Sequence, residues 1–184
     1  MPTLVSLAVV AALLGAPAGC SWPGRASGLS GPPGSAVVTH PVDGDTIEVR
    51  IGGREESVRL IGVDTPESVK PNSPVECFAQ EAAARTKELL PPGSPVRLVR
   101  DVEARDRYGR LLAYVYRPSD GLFVNMALAR DGFAAPLTIP PNVAYAADFA
   151  AAAADARRAG RGLWSACGGP HESAAAGPVR GAPP

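Results

Sequence analysis

Hydrophobic and polar positions alternate through the first half of the folded region, and helical spacing takes over later. The stretch "TIEVRI", residues 46–51, alternates strictly and puts Ile47, Val49 and Ile51 on one face, as a half-buried strand does. Before it, "AVVTHPV" at 36–42 alternates weakly and then breaks; after it, a third strand is predicted over 56–63. The intervening "DGD" at 43–45 and "GG" at 52–53 are tight-turn signals, since Asp-Gly and Gly-Gly tolerate positive φ, so the three segments form a meander. Residues 77–90, "CFAQEAAARTKELL", predict a helix with Phe78, Ala82, Arg85 and Leu89 near one stripe, stopped by "PPG". Strands follow over 95–102 and 111–117, then a short helix over 122–131 ended by Gly132 and an Ala-rich helix over 143–158 ended by Gly160. No internal repeat is visible.

Five short strands with a helix between the third and fourth predict an α+β, mainly β unit: the OB-fold, a five-stranded Greek-key barrel with three helices. Strand spacing alone does not separate this from other small barrels.

Length and composition restrict the folded unit. The chain has 184 residues, the size of one domain. Residues 1–20 contain an apolar run, "LVSLAVVAALL", followed by small residues up to Cys20; the run is too short to span a bilayer and reads as an export signal. The cysteine after Ala-Gly resembles a bacterial lipobox, which implies lipidation and membrane attachment at Cys20; Pro17 and the lack of Lys or Arg over 2–8 depart from that pattern, and simple cleavage is the other reading. Residues 21–35 are Gly/Pro/Ser-rich and read as a flexible linker, and 168–184 as a disordered tail. The domain is therefore 36–167, enough chain for a genuine core, in a protein expected outside the cell or on the outer face of its membrane.

If Cys20 is lipidated or removed, Cys77 and Cys167 remain, and an oxidising compartment favours their pairing over two buried thiols. A zinc site is disfavoured, because His40 and His171 have no ligand-like spacing to the cysteines. Eighteen Lys and Arg balance eighteen Asp and Glu, so the chain carries no net charge and no broad nucleic-acid-coating surface. A small positive cleft is still open to it. Between Arg97 and Arg117 six arginines face only Asp101, Glu103 and Asp106.

Two sets of residues carry candidate chemistry. Asp45 closes a hairpin turn and Asp64 ends a strand, so pairing of 46–51 with 56–63 brings both to one barrel end. With the carbonyl of Thr65 they form an all-oxygen set, which selects Ca²⁺ or Mg²⁺ over softer metals. Arg59, Arg107 and Arg110 offer guanidinium forks suited to phosphate, and Tyr108 a ring for stacking on a base or sugar. Each motif alone has a bland explanation: "DGD" as a turn, "DTPE" as a helix start, "RDRYGR" as a solvated loop.

Together "VDGDTIEV", "VRLIGVDTPES", "DRYGRLLAYVY" and "GLWS" closely resemble the staphylococcal nuclease family, in order, over about residues 36–166. The resemblance implies the OB-fold and a Ca²⁺-dependent nuclease, acting as a monomer on DNA and RNA, that cuts the 5′ P–O bond and leaves 3′-phosphates. It implies Asp45, Asp64 and the Thr65 carbonyl as calcium ligands, Glu67 as general base, Arg59 and Arg110 as catalytic phosphate clamps, and Arg107 and Tyr108 as nucleotide contacts. The stretch "GFAAPLTIPPN" at 132–142 departs from the family in lacking base-packing tyrosines, with Thr138 and Ile139 in that region. A non-catalytic OB module that binds nucleic acid or protein is the alternative; such members lack acidic or arginine positions that are all present here.

Overall fold

The computed structural model describes residues 36–68 and 75–171. The export segment 1–20 with Cys20, the linker 21–35 and positions 172–184 of the expected tail lie outside the described residues.

Strands β1 (Ala36–Pro41), β2 (Thr46–Ile51) and β3 (Arg54–Leu60) form the expected antiparallel meander. A two-residue strand β4 (Val63–Asp64) follows, then helix α1 (Ala79–Leu89) and strands β5 (Pro95–Val99) and β6 (Leu111–Arg117). β5 pairs antiparallel with both β1 and β6, and β6 closes the ring by a parallel pairing to β3. The ring β3-β2-β1-β5-β6 is a closed five-stranded barrel, and its interior holds Val38, Ile47, Val49, Val58, Leu60, Val96, Ala113 and Val115, all at most 1% exposed. The OB-fold expectation holds.

The weak alternation of "AVVTHPV" has a local cause. The β1–β2 register slips between Val38 and His40, a bulge that places one extra residue in β1. Strand β3 ends at Leu60 rather than at residue 63, because Gly62 takes φ 85° and turns the chain; Val63 and Asp64 then pair with β8 (Ala135–Pro136). An uninterrupted apolar run hides that turn from a pattern reading.

Helix α1 also differs from its sequence pattern. Phe78 lies outside it at φ 69°, and the buried stripe is Ala79, Ala82, Thr86 and Leu89. Arg85 instead packs over the Phe133 ring and pairs with Asp131 at 3.2 Å. Thr86 is fully buried, and its hydroxyl donates to the Gly44 carbonyl at 2.6 Å, fastening α1 beneath the β1–β2 turn. Further along, Leu122–Phe123 form a two-residue strand β7 on the edge of β6, and helix α2 (Val124–Arg130) starts after it.

Helix α3 (Ala146–Arg158) packs on α2, and a one-turn helix α4 (Leu163–Ala166) follows. Tyr114, Phe123, Tyr145 and Phe149 form an aromatic cluster between barrel and helices, with centroid separations of 4.7–6.4 Å. Asn125 on α2 is buried and ties three segments together. Its amide donates to the carbonyls of Ile61 (2.9 Å) and Ala113 (3.2 Å), and its oxygen accepts the Val115 N–H (2.9 Å). Cys77 and Cys167 are joined by a disulfide with Cα atoms 5.9 Å apart.

Candidate active site

The turn between β1 and β2 is built to present Asp45. Asp43 Oδ1 accepts the Asp45 N–H at 3.0 Å, an Asx turn, and the Val42 N–H donates to the Thr46 carbonyl at 2.9 Å. Gly44 lies so close to Thr65 that a Cβ there would come within 2.6 Å of Thr65 Oγ1. Asp45 is 3% exposed; its Oδ2 accepts the Thr65 N–H at 2.9 Å, and its Oδ1 accepts the Thr46 hydroxyl at 3.2 Å.

Arg59 pairs in register with Thr46, which directs it toward the same barrel end. Its Nη1 lies 2.5 Å from Asp45 Oδ2 and donates to the Val63 carbonyl at 3.1 Å, while its Nη2 lies 2.7 Å from Asp64 Oδ1. One guanidinium therefore holds both sides of the Ile61–Gly62 turn. Asp45, Arg59, Asp64 and Thr65 are brought together as the sequence pattern implied, with Glu67 just beyond Pro66.

Burial chiefly, reinforced by the charge of Asp45, raises Asp43 to about 6. Asp64 is also held above the ordinary carboxylate value by burial, against the opposing pull of Arg59, and Glu67 is raised by burial and then by Asp45. Among the described residues neither Asp43 nor Glu67 has an ion-pair partner, so the cluster carries more negative charge than Arg59 offsets.

The second set is arranged by Asp106. Its Oδ1 accepts the N–H groups of Tyr108 (2.9 Å) and Arg110 (3.0 Å), and its Oδ2 accepts Arg110 Nε at 2.7 Å. Burial pushes the Asp106 carboxyl up, but the hydrogen bonds from Arg110 and Tyr108 outweigh it and hold the group below its ordinary value. Among the described residues the two Nη groups of Arg110 donate to no protein acceptor, so the fork is oriented yet free. Tyr108, 69% exposed, receives a hydrogen bond from Arg107 Nη2 at 2.6 Å, and the guanidinium carbons of Arg107 and Arg110 lie 4.8 and 5.5 Å from its ring centre. Arg105 turns away to Glu56 at 2.9 Å.

A cavity of about 510 Å³ is lined by Arg59, Arg107, Tyr108, Arg110, Leu112 and Ile139, among others. The carboxylates Asp45, Asp64 and Glu67 do not line it. Arg59 is the shared element, facing the cavity while gripping Asp45 and Asp64.

A sequence profile described as staphylococcal nuclease homologue matches residues 57–166. The chain belongs to the staphylococcal nuclease family. It is 43% identical over 130 residues to the thermonuclease of Staphylococcus intermedius, spanning 71% of this chain and 76% of that protein. It is 39% identical over 146 residues to the thermonuclease of Staphylococcus hyicus, spanning 79% of this chain and 85% of that one. The endonuclease YncB of Bacillus subtilis is 39% identical over 135 residues, 73% of this chain and 63% of that protein.

The family pattern pointed to Asp45, Arg59, Asp64, Thr65, Glu67, Arg107, Tyr108 and Arg110, but not to the residues that hold them. Asp43, Glu76, Asp106 and His171 escaped the sequence reading. Asp43 and Asp106 stand inside quoted motifs, two residues before Asp45 and Tyr108 respectively, and that Asx-turn spacing was the available signal. Glu76 accepts the Glu67 N–H at 3.0 Å, and His171 places its ring nitrogens 3.0 Å from Asp64 Oδ2 and 3.2 Å from Glu76 Oε2. Residues 168–171, expected as the start of a disordered tail, are placed against the site by this contact. No local pattern announces a contact across 95 positions.

Proposed function

We propose that the protein is a Ca²⁺-dependent nuclease that hydrolyses DNA and RNA at the 5′ P–O bond and leaves 3′-phosphates. The observation that carries this reading is the shared guanidinium of Arg59. It links a partly buried carboxylate cluster to a cavity holding a second, unengaged guanidinium, Arg110.

The donor set suits calcium. Among the described residues no three His, Cys, Asp or Glu side chains are grouped as a ready-made metal cage. Asp45, Asp64 and the Thr65 carbonyl are hard oxygen donors; burial first, and then the charge of Asp45, raises Asp43, Asp64 and Glu67, and a divalent cation would relieve the crowding of negative charge among them. When bound there, calcium supplies Lewis-acid neutralisation of phosphate charge. Everything else falls to the chain. Arg59 and Arg110 grip the equatorial oxygens, and their attraction grows as charge accumulates on them, which lowers the barrier. Tyr108 and Arg107 hold the adjoining nucleotide by stacking and charge. Glu67, made a stronger base than a free carboxylate by its burial, accepts the proton of the attacking water.

Export follows from the apolar run at 4–14 and suits a paired Cys77–Cys167; membrane attachment through Cys20 belongs to the same proposal. The test is turnover of single-stranded DNA by Glu67→Gln and Arg110→Ala, with folding checked by circular dichroism. Glu67→Gln is expected to lower kcat about 10²- to 10⁴-fold. Wild-type turnover in that variant would remove Glu67 as the base, and binding of DNA without cleavage by the wild type would favour the non-catalytic module.

A further inference from the structure

Glu67 is fixed on both sides, and the two anchors differ in kind. On the N-terminal side, Thr65 is buried and donates its N–H to Asp45. On the other side the anchor comes from Glu76, nine positions on. The Glu67 N–H donates to Glu76 Oε2 at 3.0 Å, and the Glu76 N–H donates back to the Glu67 carbonyl at 3.1 Å. These reciprocal bonds set the peptide of Glu67 against that of Glu76.

Glu76 is in turn held by its neighbour. Cys77 is crosslinked to Cys167, whose N–H donates to the Leu163 carbonyl at 2.9 Å in α4. Leu163 is fully buried, and its N–H donates to the Gly132 carbonyl at 2.9 Å, so α4 is docked on the body of the domain. Four residues past Cys167, His171 Nδ1 lies 3.2 Å from the same Glu76 Oε2. The crosslink thus secures Glu76 covalently through Cys77 and from the side through His171.

We propose that Glu76 is a positioning residue for Glu67, and that the Cys77–Cys167 crosslink holds Glu76 in that role, so that full turnover requires the crosslink. This rests on Glu67 being the base. Glu76 touches neither substrate nor water in this scheme; it acts by placing the Glu67 peptide. Displacing a reacting group by about 1 Å can cost on the order of 10²-fold in rate, which is the scale of effect expected.

The experiment compares wild type, Glu76→Ala, Glu76→Gln, Cys77→Ser/Cys167→Ser and Glu67→Gln in full-chain protein on single-stranded DNA with Ca²⁺, measuring kcat and KM separately. Glu76→Ala and the cysteine variant are expected to lose about 10- to 100-fold in kcat with KM within about 2-fold. Glu76→Gln should stay within about 3-fold of wild type, because its amide oxygen still accepts the Glu67 N–H through a weaker neutral bond. A merely structural role would lower melting temperature without this split or this rescue. Wild-type kcat in both Glu76→Ala and the cysteine variant, with Glu67→Gln inactive, overturns the positioning inference and leaves the base assignment intact. Wild-type kcat in Glu67→Gln overturns the base assignment itself. If the cysteine variant does not fold, the Glu76 pair decides: equal kcat in Ala and Gln overturns the inference.

Discussion

Gly62 makes the turn that lets Arg59 reach Asp64, and its replacement by alanine exposes two separable costs. The residue sits at φ 85°, and an added methyl would collide with the edge of the Phe149 ring. Gly53, at φ 82°, is conformationally alike but has nothing within 4 Å of an added Cβ. Placing alanine in the left-handed region costs about 1–2 kcal/mol at either position. Overpacking against Phe149 adds about 1–3 kcal/mol at Gly62 alone, so Gly62→Ala should cost roughly 2–5 kcal/mol. The gain from a stiffer unfolded chain is common to both and cancels in the difference. For a unit of this size about 1 kcal/mol corresponds to roughly 3–6 °C, so Gly53→Ala should lower Tm by about 5 °C and Gly62→Ala by about 10–20 °C. Differential scanning calorimetry on both variants reads the difference. Gly44→Ala isolates the opposite case, crowding against Thr65 with no positive φ to pay for, and should fall between them. Equal Tm for Gly62→Ala and Gly53→Ala would refute the packing reasoning at the turn.

The calcium-free protein should lose stability as pH rises, through Asp43. Its folded pKa, about 6, lies above the ordinary 3.8, so the folded state holds this proton more tightly. That contribution is complete below about pH 4 and is lost as pH rises through about 6, up to roughly 3 kcal/mol. Asp43→Asn keeps the acceptor for the Asp45 N–H and should flatten the urea-denaturation profile over this window; parallel profiles would exclude Asp43 as the source. Asn125→Ala should cost about 2–4 kcal/mol in denaturant unfolding, since it strands the Val115 N–H and the Ile61 carbonyl, while the Ala113 carbonyl keeps the Ile61 N–H; a loss under about 0.5 kcal/mol would show that water replaces the amide. Arg59→Lys should lower kcat by at least about 10-fold, because an ammonium lacks the planar fork that spans Asp45 and Asp64; near-wild-type turnover would show that charge alone suffices.

The barrel was readable in the sequence chiefly through its second strand, which keeps a strict two-residue period: Ile47 and Val49 point inward as "TIEVRI" requires. The third strand misled because Ile61, Gly62 and Val63 prolong an apolar run through a turn that only the backbone angle of Gly62 marks. The α1 stripe came out rotated because Thr86 is buried for its hydroxyl bond to Gly44, while Arg85 lies over Phe133, and hydropathy ranks neither choice correctly. Site residues were legible as a family pattern because chemistry fixes their types. Their supports were not: Asp43 read as a turn residue and Asp106 as part of a solvated loop, and Glu76 and His171 reach the site only through tertiary contacts.

Hydrolysis of single-stranded DNA by the purified protein, followed through calcium removal and return, bears on all of this at once. Cleavage should stop in excess EGTA, resume when Ca²⁺ is restored, and stay absent at any Ca²⁺ level in Asp45→Asn/Asp64→Asn. Undiminished cleavage in EGTA, or a fully active double variant, would contradict the assignment of these carboxylates to a calcium-assisted phosphodiester site.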